Sequence, residues 1–281
     1  MRIIRSVSEM AETARADRSA GVRIGLVPTM GYLHDGHLAL VAALRPRVDR
    51  LVVSIFVNPT QFGPSEDFSR YPRDLERDEE LCRTAGVDAI FHPSAADMYA
   101  PDASIRIEES ALSTRLCGAS RPGHFSGVCT VVAKLFHIVQ PQIAAFGEKD
   151  AQQLRVIRRM TRDLNMPVEI LPVPTVREPD GLAMSSRNIL LTAEARAQAV
   201  CLKRALDAAA RRCAEGERGV AELRKAMAEE VARSPLARID YIEILDDETL
   251  TGIELLERPA LAALAVRFGT TRLIDNIILT P

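Results

Sequence analysis

The sequence lacks an apolar run long enough to cross a membrane. Its longest apolar stretch near the middle is broken by Lys134, His137 and Gln140. A helical span needs roughly 20 such residues without interruption. The opening residues, Met1-Arg2-Ile3-Ile4-Arg5-Ser6, carry no apolar core of a secretory signal. Cysteine is sparse and poorly spaced for crosslinking. Cys82, Cys117, Cys129, Cys201 and Cys213 are odd in number, and no pair has Cys-x-x-Cys spacing. This argues against a disulfide framework and a structural zinc site, and for reduced, buried thiols in a cytoplasmic protein. Positive charge is not in excess either. The formal net charge is −2, so no broad basic field is offered to nucleic acid. No repeat of solenoid length is visible.

What is present is a balanced globular composition: 281 residues, 47% hydrophobic and 26% charged. That length supports one large or two moderate domains with a sizeable core. Apolar runs and helical periods alternate along the first part of the chain. Short strands are expected at 3–4, 22–27, 51–57, 89–91, 143–146 and 168–172, with a further one at 105–107. Helical periods fall at 7–20, 36–48, 74–85, up to Val139, and 152–164. The run Leu51-Val52-Val53-Ser54-Ile55-Phe56-Val57 suits a central parallel strand. Strand, helix, strand at this spacing makes right-handed βαβ units. The expected class is therefore α/β, a Rossmann-like doubly wound parallel sheet over residues 1–175. Pro172 and Pro174 punctuate the chain before a smaller α+β domain over 176–281. Helices at 193–214 and 220–233 there precede strands at 239–244, 262–268 and 273–279.

The stretch Pro28-Thr29-Met30-Gly31-Tyr32-Leu33-His34-Asp35-Gly36-His37-Leu38 joins the second strand to a helix. Two histidines flank Gly36 at a helix start, where free N–H groups and the positive dipole end favour an anion. The bland alternative is a polar cap with two surface histidines.

Other turns raise similar choices. Asn58 and Gln61, at a strand's carboxyl end, either meet a hydroxy-acid substrate or form an ordinary turn before Pro59. Glu76, Asp78, Glu79 and Glu80 read as a solvated helix face. Arg121 and His124 stand near the entry of a long apolar helix, as anion donors or as plain cap polarity. Gly147-Glu148-Lys149-Asp150 repeats the strand–turn–helix arrangement, with Gln153 in the next helical turn. Lys149 can meet a phosphate and Asp150 a ribose hydroxyl, or they are a solvated Lys and a capping Asp. Met184-Ser185-Ser186-Arg187-Asn188 offers two hydroxyls and a fork donor for phosphate oxygens, or is simply a loop.

His34-x-Gly36-His37 resembles the signature of the nucleotidylyl-transferase superfamily. Pro28-Thr29-Met30-Gly31, Asn58-Pro59-x-Gln61-Phe62, Arg121-Pro122-Gly123-His124-Phe125, Gly147-Glu148-Lys149-Asp150-x-Gln152-Gln153 and Met184-Ser185-Ser186-Arg187-Asn188 narrow it. Together, and in this order, they resemble the pantoate–β-alanine ligases. The chain departs from that pattern at Ala151, where an aromatic is common, and at Asp74, where Thr is common. The resemblance implies ATP-dependent joining of pantoate to β-alanine through a pantoyl adenylate. It implies an ATP site of Met30, Gly31, Tyr32, Leu33, His34, Asp35, Gly36, His37, Gly147, Glu148, Lys149, Asp150, Val176, Met184, Ser185, Ser186 and Arg187. His37 would be the proton donor, with His34, Lys149 and Ser185 to Arg187 beside the reacting phosphates. Gln61, Gln153 and Asn58 would hold pantoate, and Gln61 also β-alanine. Mg²⁺ would accompany ATP, with Asp78 reaching it through water. A homodimer is implied too. Rival readings are a dinucleotide- or CDP-alcohol-forming transferase, a tRNA-charging core, and a non-catalytic ATP sensor.

Overall fold

The computed structural model describes residues 1–64 and 66–281. The chain forms two compact units. The first holds Met1–Ser110, Arg121–Glu148 and Gln153–Thr175; the second holds Ala111–Ser120, Lys149–Gln152 and Val176–Pro281.

Six strands make the sheet of the first unit: β1 Arg2–Ile4, β2 Ile24–Thr29, β3 Arg50–Ile55, β4 Ala89–Phe91, β5 Ile143–Gly147 and β6 Glu169–Val173. Their order is β1-β4-β3-β2-β5-β6, and every pairing is parallel. Parallel sheets need both faces covered, which explains why β3 is apolar at Leu51, Val52, Val53 and Ile55 and buried from Leu51 to Ile55. One face packs Val27, Val53, Ile90 and Ala145 against Leu40, Val41 and Leu44 of the helix Asp35–Leu44 and Cys82 of the helix Leu75–Thr84. From β2 the chain winds outward through β3 to β4, then returns to place β5 on the other side of β2. The strand order thus reverses between β2 and β5. Open α/β sheets bind ligands beyond the carboxyl ends of strands at such a reversal.

The second unit carries an antiparallel sheet in the order β7-β8-β9, from β7 Ala237–Asp246, β8 Ala260–Phe268 and β9 Thr271–Leu279. Gly269, with φ +59°, makes the tight β8–β9 turn. Leu264, Val266, Leu273 and Ile244 of the sheet share a core with Leu202, Leu206, Leu223 and Met227 from the helices Cys201–Ala214 and Val220–Ala232. Gln152, buried, draws segment 111–120 into this unit. It accepts the Cys117 N–H at 3.0 Å and donates to the Leu112 and Arg115 carbonyls, each at 2.7 Å.

Several expected bounds shift, for local reasons. The helix expected over 36–48 ends at Leu44, because Pro46 has no N–H to continue the ladder, and Arg45–Arg47 tightens to a 3-10 turn. The helix expected over 193–214 is two, Ala193–Ala199 and Cys201–Ala214, parted at Val200 where ψ opens to −16°. The strand expected at 105–107 does not form. Ile105 is 84% exposed, and the Ile107 N–H is taken by the Thr130 hydroxyl at 3.0 Å instead of a ladder. All five cysteines are free and buried. Burial pushes the Cys82 and Cys129 thiols up to about 12.

Candidate active site

The histidine turn leaves the carboxyl end of β2. Thr29 closes the strand by donating its hydroxyl to the Ser54 carbonyl at 2.7 Å and accepting the Gly31 N–H at 3.1 Å. The chain then turns through two left-handed residues, Gly31 at φ +81° and Tyr32 at φ +51°. A Cβ on Gly31 would stand 2.8 Å from Ile55 Cγ2, so glycine serves both conformation and space here. Tyr32 needs outside support to hold that conformation. Asp78 supplies it: its carboxylate accepts the Tyr32 and Leu33 N–H groups, each at 2.7 Å. Neighbouring Arg77 donates to the Leu33 carbonyl at 2.8 Å and lies 5.1 Å over the Tyr32 ring.

This corrects the sequence reading of Asp78. It is not on a solvated face; it is 1% exposed, pointing inward from the first turn of its helix. Both of its oxygens hold backbone amides, so it clamps the turn. Burial raises the Asp78 carboxyl above its ordinary value, more than the Leu33 and Tyr32 amides and Arg77 lower it.

The helix begins at Asp35 with His34 as its cap. His34 Nδ1 accepts the Gly36 N–H at 3.1 Å, and His37 Nδ1 accepts the His34 N–H at 3.3 Å. The two imidazoles thus form a reciprocal capping box, with ring centroids 4.1 Å apart. The bland and functional readings of these histidines are compatible: they cap the helix, and the capping sets their chemistry. A neutral imidazole whose Nδ1 accepts carries its hydrogen on Nε2. Each ring is therefore an N–H donor without being a cation, at the positive end of a helix dipole.

The second turn follows β3. Asn58 caps the 3-10 turn Pro59–Gln61. It is 1% exposed, and its amide is fully used. Oδ1 accepts from the Thr60 N–H, the Thr60 hydroxyl and the Tyr99 hydroxyl; Nδ2 donates to Gln61 Oε1 at 3.1 Å and the Gly127 carbonyl at 3.2 Å. Asn58, expected to touch a substrate, has these bonds within the protein, and through one of them it orients Gln61. Gln61 Nε2 in turn meets Met30 Sδ at 3.2 Å, which brings the second turn against the histidine turn.

The helix His124–Val139 backs this loop. A Cβ on Gly127 would fall 2.4 Å from the Thr60 carbonyl oxygen, so the two backbones touch there. Arg121 is not an open anion donor; its guanidinium pairs with Glu66 at 2.6 and 2.8 Å. His124 Nδ1 lies 2.9 Å from the Gln61 carbonyl. Burial works to raise the Glu66 carboxyl, but the Arg121 bonds and charge outweigh it and leave the group below its ordinary range.

The third turn leaves β5 at Gly147. Glu148–Asp150 is a 3-10 turn, and the helix Ala151–Asp163 follows, with Gln153 half-buried in its first turn. Lys149 and Asp150 belong to the second unit. There the chain from Val176 makes a small hairpin, closed by the Met184 N–H on the Val176 carbonyl at 3.0 Å. Ser185 caps the 3-10 turn Ser186–Leu190, its hydroxyl accepting the Arg187 N–H at 3.3 Å. Asn188 donates to Glu178 at 2.7 Å, and Arg196 ties Glu178 and Asp180 together. Ser186 is buried and Arg187 half-buried. Among the described residues no three or more His, Cys, Asp or Glu side chains gather as a metal site.

A family model described as pantoate-beta-alanine ligase matches residues 2–278. The chain belongs to this ligase family. A relative from Thermotoga neapolitana, named pantothenate synthetase, is 55% identical over 279 residues, covering 99% of this chain and 100% of its own. The crystal structure of pantothenate synthetase from Thermus thermophilus is 49% identical, with a TM-score of 0.94 and full coverage of both chains. The ligase from Francisella tularensis, solved with beta-gamma ATP and beta-alanine, is 34% identical with a TM-score of 0.81, covering 99% of this chain and 97% of that one. The six-stranded parallel sheet and the small antiparallel sheet are the architecture of these ligases. Residues that motif reading passes over are Asp78 as a clamp, Gly127 and, on the last strand, Asp275 and Asn276. Only Gly127 leaves a signal, as a glycine inside an otherwise strong helical pattern.

Proposed function

We propose that the chain joins pantoate to β-alanine at the expense of ATP. The pantoate carboxylate attacks the α-phosphorus, pyrophosphate leaves, and pantoyl adenylate remains. The unprotonated amine of β-alanine then attacks the acyl carbon and AMP leaves. The observation that carries this reading is the histidine capping box at the strand-order reversal. Two neutral Nε2–H donors at the positive end of a helix dipole suit an α-phosphate whose charge grows as it is attacked.

In this reading Met30 to His37, Gly147 to Asp150, Val176 and Met184 to Arg187 take the nucleotide. Lys149, Ser185, Ser186 and Arg187 donate to the β- and γ-phosphates. Gln61 and Gln153 hold pantoate, and Gln61 also serves β-alanine, whose place beside ATP is supported by the Francisella complex. Such a reaction needs positioning and positive charge more than covalent help. Mg²⁺ accompanies the phosphates, keeping much of its water shell. Asp78, engaged with two amides, does not serve it. Residues 176–281 act as a lid that keeps water from the adenylate. We assign the chain to the cytoplasm, as its free thiols suggest, and to a homodimer, as the family resemblance implies.

Mixing the protein with ATP, Mg²⁺, pantoate and β-alanine tests the reading. AMP is expected only when both organic substrates are present. Binding of ATP with no AMP formed would replace the ligase with a sensor.

A further inference from the structure

Two neighbours on β9, Asp275 and Asn276, take hold of two segments that the motifs single out. Asn276 Nδ2 donates to the Lys149 carbonyl at 2.9 Å. Asp275, buried, accepts both arms of the Arg177 guanidinium at 2.6 and 2.9 Å. Arg177 also donates to the Gly181 carbonyl at 3.1 Å and bridges Ala183 across the hairpin. It therefore staples the hairpin that delivers Met184, with Ser185 to Arg187 next in the chain. Asp275 Oδ1 further accepts the Asn276 N–H at 2.8 Å, linking the two holds. Successive side chains of a strand leave opposite faces, so β9 grips one segment from each face. The strand itself is fixed in register along β8, from Ala260↔Leu279 to Phe268↔Thr271.

We propose that Asp275 and Asn276 are positioning residues that set the spacing between Lys149 and the Ser185–Arg187 loop. This rests on the ATP-ligase reading above. Neither side chain acts on substrate. Each holds backbone or a staple behind a donor, so that the cation and the hydroxyls meet oxygens of one triphosphate. A donor displaced by about 1 Å can cost on the order of a hundredfold in rate. One lost hydrogen bond to a carbonyl alters stability far less.

The test compares the full-length wild type with Asn276→Ala, Asn276→Asp and Asp275→Asn, measuring pyrophosphate release from MgATP and pantoate. Urea midpoints are measured alongside. Asn276→Ala should raise the KM for MgATP or lower kcat by about tenfold to a hundredfold, with the KM for β-alanine and the urea midpoint little changed. Asn276→Asp has the same shape but no donor, and should not restore activity. Asp275→Asn should show the same MgATP-selective loss; if it fails to fold, Asn276→Ala decides alone. A folded Asn276→Ala protein with wild-type KM and kcat for MgATP overturns the proposal, as does a loss confined to the urea midpoint. A wild type that releases no pyrophosphate overturns the ligase reading instead, and this proposal with it.

Discussion

Asp78 accepts the backbone N–H of Leu33 at 2.7 Å from 45 residues further along the chain. The same carboxylate holds Tyr32, so one side chain fixes the left-handed entry to the histidine helix. Asp78→Asn keeps the shape but gives up an acceptor, leaving an amide unsatisfied in a buried place. A stability loss of about 1–3 kcal/mol is expected, read as a lower urea midpoint, together with slower AMP formation. Raising Mg²⁺ should not rescue it; recovery at high Mg²⁺ would return Asp78 to the metal.

The histidine pair makes a spectroscopic prediction. ¹⁵N NMR of the histidine-labelled protein should find His34 and His37 as Nε2–H tautomers, because both Nδ1 atoms accept backbone N–H groups. A Nδ1–H tautomer at either residue would break the capping box. His37→Ala should slow adenylate formation by about 10²–10³, the scale of a lost transition-state donor. Near-normal turnover by the folded variant would take His37 out of the chemistry.

Gly127→Ala sets two effects against each other. Alanine in a helix gains about 1 kcal/mol over glycine. The new Cβ, however, would fall 2.4 Å from the Thr60 carbonyl, and overpacking of this kind costs about 1–3 kcal/mol. The clash should win because its partner is backbone, which cannot step aside as a flexible side chain does. Lower thermal stability and a raised KM for pantoate are expected, since the displaced loop carries Gln61.

Glu66 gives a pH dependence. Its carboxyl is held below the ordinary range in the fold, burial being outweighed by Arg121. Its stabilisation is therefore complete above the unfolded value and fades as pH falls through the folded one. Glu66→Gln should lower stability by about 2 kcal/mol near neutral pH, and the gap from wild type should close in acid. A gap that persists in acid would assign the loss to packing rather than charge.

The sequence makes some of this legible and hides the rest for identifiable reasons. The apolar run of β3 and the glycine-bearing histidine turn reveal themselves because strand burial and helix capping are local. The helix expected over 36–48 overruns its true end because Val48 continues the apolar stripe past Pro46, although proline is the stronger signal. Asp78 is hidden because its helix is acidic all along; only the packing shows which carboxylate turns inward. Asn58 resembles a substrate group because its chemistry fits one, and the partners that saturate it lie as far away as Gly127. Asp275 and Asn276 sit in a strand whose alternation reports burial and says nothing of which loops it holds.

The buried thiols have a practical consequence. Cys82 and Cys129 lie in the first unit, Cys117, Cys201 and Cys213 in the second. A maleimide reaches such sulfurs only during a transient opening. Labelling rates read residue by residue by mass spectrometry would then act as native clocks, two timing the breathing of the first unit and three that of the second. Adding nucleotide or pantoate would show which clock slows, without a single engineered probe.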